Sequence, residues 1–276
     1  PGRTGFAHLF EHMLFEQSQH VGKEQFAKEI YNAGGTYNGG TNKDGTVYFE
    51  VVPKNALEKV LWMESDRMGW LLSTVNQAAL NKEQDAVQNE KRLRVDNRPY
   101  GHENYVIVKN IYPTGHPYNW TTIGELEDLQ NATLKDVRSF YENWYGPNNA
   151  TMVIAGDINK RDVKSLVEKY FGEIKPGPDN GDPEPQHVDL KETKKVYHED
   201  NFARSPRLMM AFPTVDQRHF DAPALELLGQ LLGDGKKAPL YKIIVEDRKL
   251  APNVSAYSNT QEIAGTFHIV TTGFPN

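Results

Sequence analysis

The chain has 276 residues, of which 38% are hydrophobic and 25% charged, with a net charge of −6 and no cysteine. That length buries a full core and suits two domains, and the composition is that of a polar globular protein. The acidic balance argues against nucleic acid as the main partner, and no apolar stretch reaches the length of a membrane span. The lack of cysteine removes disulfides, thiolate ligands and a cysteine nucleophile, so any metal must be held by His and carboxylate.

In chain order, the first predicted element is a helix from about Phe6. It covers Phe6-Ala7-His8-Leu9-Phe10-Glu11-His12-Met13-Leu14-Phe15, a run free of Pro and Gly after Gly5. A short helix follows over 23–32, and Gly34-Gly35 leads into Thr36-Tyr37-Asn38-Gly39-Gly40-Thr41. Residues 45–52 form a strand rich in β-branched and aromatic residues, closed by Pro53. Asn55 caps a long amphipathic helix with Leu57, Val60, Leu61, Met68, Leu71 and Leu72 on its apolar face. Asn81 opens another over 82–95, ended by Asn97-Arg98-Pro99. Thr133-Leu134-Lys135-Asp136 has the shape of a capping box and starts a helix through Tyr145. Residues 150–156 read as a buried strand and 160–171 as a helix.

The run from Lys175-Pro176-Gly177-Pro178 to Pro183-Glu184-Pro185 is dense in Pro, Gly and acids and reads as a linker. Beyond it come strands at 194–198 and 207–212, helices at 222–232 and 239–246, and strands near Val254 and Thr266. The expected fold class is α+β: two related α/β sandwich domains, each an antiparallel-rich sheet packed by helices. Residues 1–178 make the N-terminal domain, 179–191 the linker, and 192–276 a second, homologous and incomplete domain. With Pro1 in place of an initiator Met and a helix starting almost at once, the first domain is expected to lack its first strand.

The chemistry concentrates in His8-Leu9-Phe10-Glu11-His12. Residues four apart on a helix share a face, so His8 and His12 can aim both imidazoles at one point. Two converging neutral imidazoles are two of the usual three protein ligands of a catalytic zinc. Glu11 lies near the same opening and can take a proton from a metal-polarised water without ligating the metal. Phe6, Leu9, Phe10, Met13 and Leu14 imply a buried helix, where these polar groups are costly without partners. For the third ligand, Glu83 and Glu90 share a face of the helix starting at Lys82.

The HxxEH order, with Gly2-Arg3-Thr4-Gly5-Phe6-Ala7 before it, resembles the active-site helix of the pitrilysin/insulinase family of zinc metallopeptidases. The family's third ligand is a Glu in a Val-x-x-Glu context, matched by Val87-Gln88-Asn89-Glu90, 78 positions past His12. A further family Glu falls on Glu83. Asn38, Gly39, Gly40 and Thr41, with Thr46-Val47-Tyr48, are similar to the family's substrate-binding edge strand, with Gly39 where Ala is usual. Arg98-Pro99-Tyr100-Gly101, His116-Pro117-Tyr118, Tyr145-Gly146-Pro147-Asn148-Asn149-Ala150 and Gly156-Asp157-Ile158 also resemble family segments.

The resemblance implies a zinc-dependent endopeptidase acting on peptides or unfolded polypeptides. One Zn²⁺ per chain would lie on His8, His12 and Glu90, with Glu11 as general base. Glu83 would orient a ligand imidazole, and residues 38–41 would pair with an extended peptide substrate. It also implies a second half, or a homologous subunit, that closes the chamber and supplies an Arg and a Tyr to the substrate. Of the compartments compatible with zero cysteine, it favours a bacterial periplasm over an organelle matrix or the cytoplasm. The rival readings are a non-catalytic scaffold or partner subunit of the same fold, and metal sequestration with Glu11 merely acidic. Retention of His8, Glu11, His12 and Glu90 together favours the enzyme.

Overall fold

The computed structural model describes residues 2–275. Its elements in chain order are α1 (Phe6–Glu16), α2 (Gln25–Asn32), β1 (Thr36–Thr41), β2 (Thr46–Val51), α3 (Leu57–Trp70), α4 (Gln77–Lys91), α5 (Glu103–Ile111), α6 (Leu126–Gln130), α7 (Leu134–Trp144) and α8 (Lys160–Phe171). There follow β3 (Arg207–Thr214), α9 (Ala222–Gly233), the single turn α10 (Pro239–Tyr241), β4 (Asn253–Thr260) and β5 (Gly265–Thr272). The class is α+β with antiparallel pairing, as expected. Contacts divide the chain into two units, residues 1–89 with 122–181, and 90–121 with 182–276.

The first unit is built around α1. Leu9 and Phe10 are fully buried and pack with Met13 and Leu14 against Leu80 and Val87 of α4 and Val137 and Tyr141 of α7. Each such side chain withdrawn from water is worth about 1.5–3 kcal/mol, which fixes α1 more firmly than its own propensity would. A second cluster joins Phe26 and Ile30 of α2 to Val60 and Met63 of α3. β1 and β2 form an antiparallel hairpin, with Thr41 opposite Thr46 and Gly39 opposite Tyr48. Its turn is held by Asn42, whose side-chain oxygen accepts from the backbone N–H of Asp44 and Gly45 at 2.8 Å each.

In the second unit β5 lies between β3 and β4, antiparallel to both. Helix α9 lies against β4 so closely that a Cβ at Gly233 would stand 2.3 Å from the Ala256 nitrogen. Val108, Ile111, Tyr112 and Tyr118 pack with Ile263 and Ala264 to make this unit's core.

The structure corrects several expectations. Helix α4 starts at Gln77 rather than after Asn81, because Asn76 accepts the Ala79 N–H at 3.0 Å and is the cap. Residues 150–156 and 194–198 form no strand. Among the described residues nothing pairs with either, and Val153 and Tyr197 stand 82% and 92% exposed. A strand needs a ladder partner for its backbone groups, and β propensity alone does not supply one. Helices α5 and α6 lack the caps and periodicity that would have announced them. Residues 239–246 form α10 and a wider turn, Lys242–Asp247, rather than one regular helix. The capping box is present: Thr133 and Asp136 each accept from the other's backbone N–H.

Candidate metal centre

The loop before α1 fixes where the helix begins. Gly5 has φ +81°, and a Cβ there would meet the Ile123 carbonyl oxygen at 2.6 Å, so only glycine fits. Thr4 anchors the same loop, donating from its N–H and hydroxyl to Asp128 Oδ2 at 2.9 and 2.6 Å. From this start, Phe6, Leu9, Phe10, Met13 and Leu14 face the core. His8, Glu11 and His12 fall on the remaining, half-buried stripe. The two imidazoles lie 4.9 Å apart, edge to face. At the exit of α1, buried Asp66 holds the turn, accepting from the Ser18 hydroxyl and from the His20 and Val21 N–H groups.

Helix α4 brings in the carboxylates. Val87 is fully buried against α1 and sits between Glu83 and Glu90, two turns apart. One ligand atom from each of His8, His12 and Glu90 lies within 4.8 Å of the others. Glu90 rides on the last turn of α4, a helix that begins in the first unit, and is paired with Arg94 at 2.8 Å. Glu83 Oε2 lies 3.7 Å from His12 Nδ1. Burial, and then the neighbouring Glu16 carboxylate, raise the Glu83 pKa against the opposing pull of His12 and Lys82. Lys82 binds Glu16 at 2.5 Å, closing a charged rim that sequence reading had not singled out. The clue was spacing: Glu16 lies one turn beyond His12 on the same stripe.

β1 passes beside Glu11. The Thr41 hydroxyl donates to Glu11 Oε2 at 2.6 Å, and a Cβ at Gly39 would stand 3.2 Å from Glu11 Oε1. Asn38 and Gly40 alternate to the exposed face of the strand. β1 has β2 on one side and, among the described residues, no strand on the other.

Two imidazoles and a carboxylate are the donor set that zinc takes in open, four-coordinate sites. Bonds of about 2.0–2.2 Å in a tetrahedron put ligand atoms roughly 3.5 Å apart, so the three groups are a small side-chain movement from that spacing. The residues present fit the ion.

Family models match nearly the whole chain. The family model described as Insulinase (Peptidase family M16) matches residues 1–105, and that described as Peptidase M16 inactive domain matches residues 131–276. The zinc protease PqqE of Helicobacter pylori is 31% identical across 100% of this chain and 62% of its own length. A solved structure of a protease from Helicobacter pylori superposes with a TM-score of 0.89 at 29% identity, covering 100% of this chain and 66% of that one. A peptidase M16 inactive domain from Pseudomonas fluorescens gives 0.82 at 20% identity, covering 98% of this chain and 65% of that one, a likeness of fold alone. The chain thus spans less than two thirds of the length of these relatives. His8, Glu11, His12, Glu83 and Glu90 all fall in the first family match, outside the stretch that bears the inactive-domain description.

Proposed function

From the premise that the chain belongs to the insulinase family, peptidase family M16, we propose that it carries the zinc site of an endopeptidase acting on peptides or unfolded polypeptides. The observation that supports this most is the convergence of His8, His12 and Glu90 ligand atoms within 4.8 Å, with Glu11 on the same stripe of α1. These three residues would hold the ion. Zinc bound there lowers the pKa of a water towards ~7 and polarises a scissile carbonyl.

The remaining work falls to the chain's own groups. Glu11 takes the proton of the attacking water on a carboxylate oxygen and later delivers it to the leaving amine nitrogen. Glu83, whose Oε2 lies 3.7 Å from His12 Nδ1, would accept from that nitrogen once the ion is bound and so fix the tautomer of the ligand imidazole. The edge of β1 away from β2, over Asn38, Gly39, Gly40 and Thr41, takes an extended peptide as an added strand through main-chain hydrogen bonds. That mode reads little side-chain identity, so selectivity comes from the walls of a chamber that a homologous half completes.

The test is hydrolysis of a quenched fluorescent peptide by the full-length protein, with and without chelator. Glu11→Gln should keep its zinc and lose about 10²–10⁴-fold in kcat; turnover that survives this change would remove Glu11 as the base. The match of 131–276 to a domain described as inactive favours a second reading, a non-catalytic partner subunit. That reading expects no chelator-sensitive hydrolysis unless a separate catalytic subunit is supplied.

A further inference from the structure

Two threonine hydroxyls, paired across the β1–β2 hairpin, lead to the Glu11 carboxylate. Thr41 Oγ1, bonded to Glu11 Oε2 at 2.6 Å, lies 3.0 Å from Thr46 Oγ1, its partner across the hairpin. Behind this pair, the Tyr145 and Tyr48 phenol oxygens are 3.0 Å apart.

The direction of these bonds follows from counting protons. An ionised carboxylate only accepts, and each hydroxyl has one proton to give. Thr41 spends its proton on Glu11, so Thr46 must donate to Thr41. Burial is the main reason that both phenols are held above their ordinary range. A chain whose donors all point one way strengthens its terminal bond. The strand backbone confines the other side of the same carboxylate: a Cβ at Gly39 would stand 3.2 Å from Glu11 Cγ and Oε1 and 2.9 Å from the Phe15 ring.

We propose that Thr41, backed by Thr46, is the positioning residue of the general base. It holds Oε2 as an acceptor and leaves Oε1 as the oxygen that takes the proton. The inference rests on the reading of Glu11 as base, and it gives β1 two duties, substrate pairing along its edge and orientation of Glu11 through a side chain.

The experiment compares Thr41→Val, Thr41→Ser, Thr46→Val and Glu11→Gln in the full-length protein. It reads kcat, KM, zinc content and the crystal structure around Glu11. Valine keeps the shape of threonine and removes the donor. Thr41→Val should lower kcat about 10–100-fold, the cost of a misplaced reacting group. KM should stay within about twofold, zinc should be retained, and the Glu11 carboxylate should leave its present position. Thr41→Ser should restore most of the loss, and Thr46→Val should fall between wild type and Thr41→Val. An unchanged kcat with Glu11 unmoved would overturn the proposal. So would a rise in KM alone, which assigns Thr41 to substrate binding. Glu11→Gln separates the two levels: if it still turns over, the base assignment falls and the positioning role with it. If Glu11→Gln is dead while Thr41→Val is normal, only the positioning role falls.

Discussion

Arg67 lies among three aromatic rings, 5.1, 4.6 and 4.5 Å from the centroids of Phe15, Phe26 and Tyr48, and pairs with both Glu50 and Glu64. One buried cation cannot neutralise two carboxylates. Burial, and then the Glu64 charge, raise the Glu50 pKa to about 8 against the opposing pull of Arg67. The folded pKa therefore stands above the ordinary 4.5. The stability tied to this proton is complete below the unfolded value and is lost as pH rises towards about 8. Melting temperature should fall between about pH 5 and pH 8 and level off above that. Glu50→Gln, neutral throughout, should flatten that slope and melt above wild type at the alkaline end; an unchanged slope would remove Glu50 as its source. At this scale the sequence was legible where spacing alone decides geometry, as for His8 and His12. The Arg67 cage and the Thr41 bond to Glu11 were not, because they join separate elements through space.

Among elements, α4 carries the most information. Its start at Gln77 adds a turn ahead of the expected boundary, so that Leu80 joins Val87 in the core while Glu83 and Glu90 keep the face between them. The misplaced boundary came from two asparagines a few residues apart, either of which could cap. The structure assigns the cap to Asn76, so Asn76→Ala should cost about 1 kcal/mol in denaturant unfolding and Asn81→Ala within about 0.5. Equal losses from the two would contradict the assignment. Residues 150–156 show the opposite limit of sequence reading. Their apolar, β-branched run joins no sheet in the structure, since pairing is a property of a partner and not of the run itself. The capping box at Thr133 was legible because all its atoms lie within one turn.

At the level of the whole molecule, the chain resolves into two units and matches two family descriptions in series. The residues proposed for chemistry all lie in the first match. Periodicity and turn signals revealed the α+β class, but not that residues 90–121 cluster with 182–276, since a discontinuous unit leaves no composition mark. A chamber closed by a homologous half predicts that these 276 residues alone bind zinc yet cleave peptides poorly, and that supplying the other half raises turnover. Robust chelator-sensitive cleavage by the chain alone would remove the need for that half. The central claim is that His8, His12 and Glu90 hold one zinc while Glu11 stands beside it without ligating. Metal analysis of purified protein tests this most directly. Wild type and Glu11→Gln should each carry about one zinc per chain, and Glu90→Gln should fall well below that; full zinc in Glu90→Gln, or its loss from Glu11→Gln, would contradict the account.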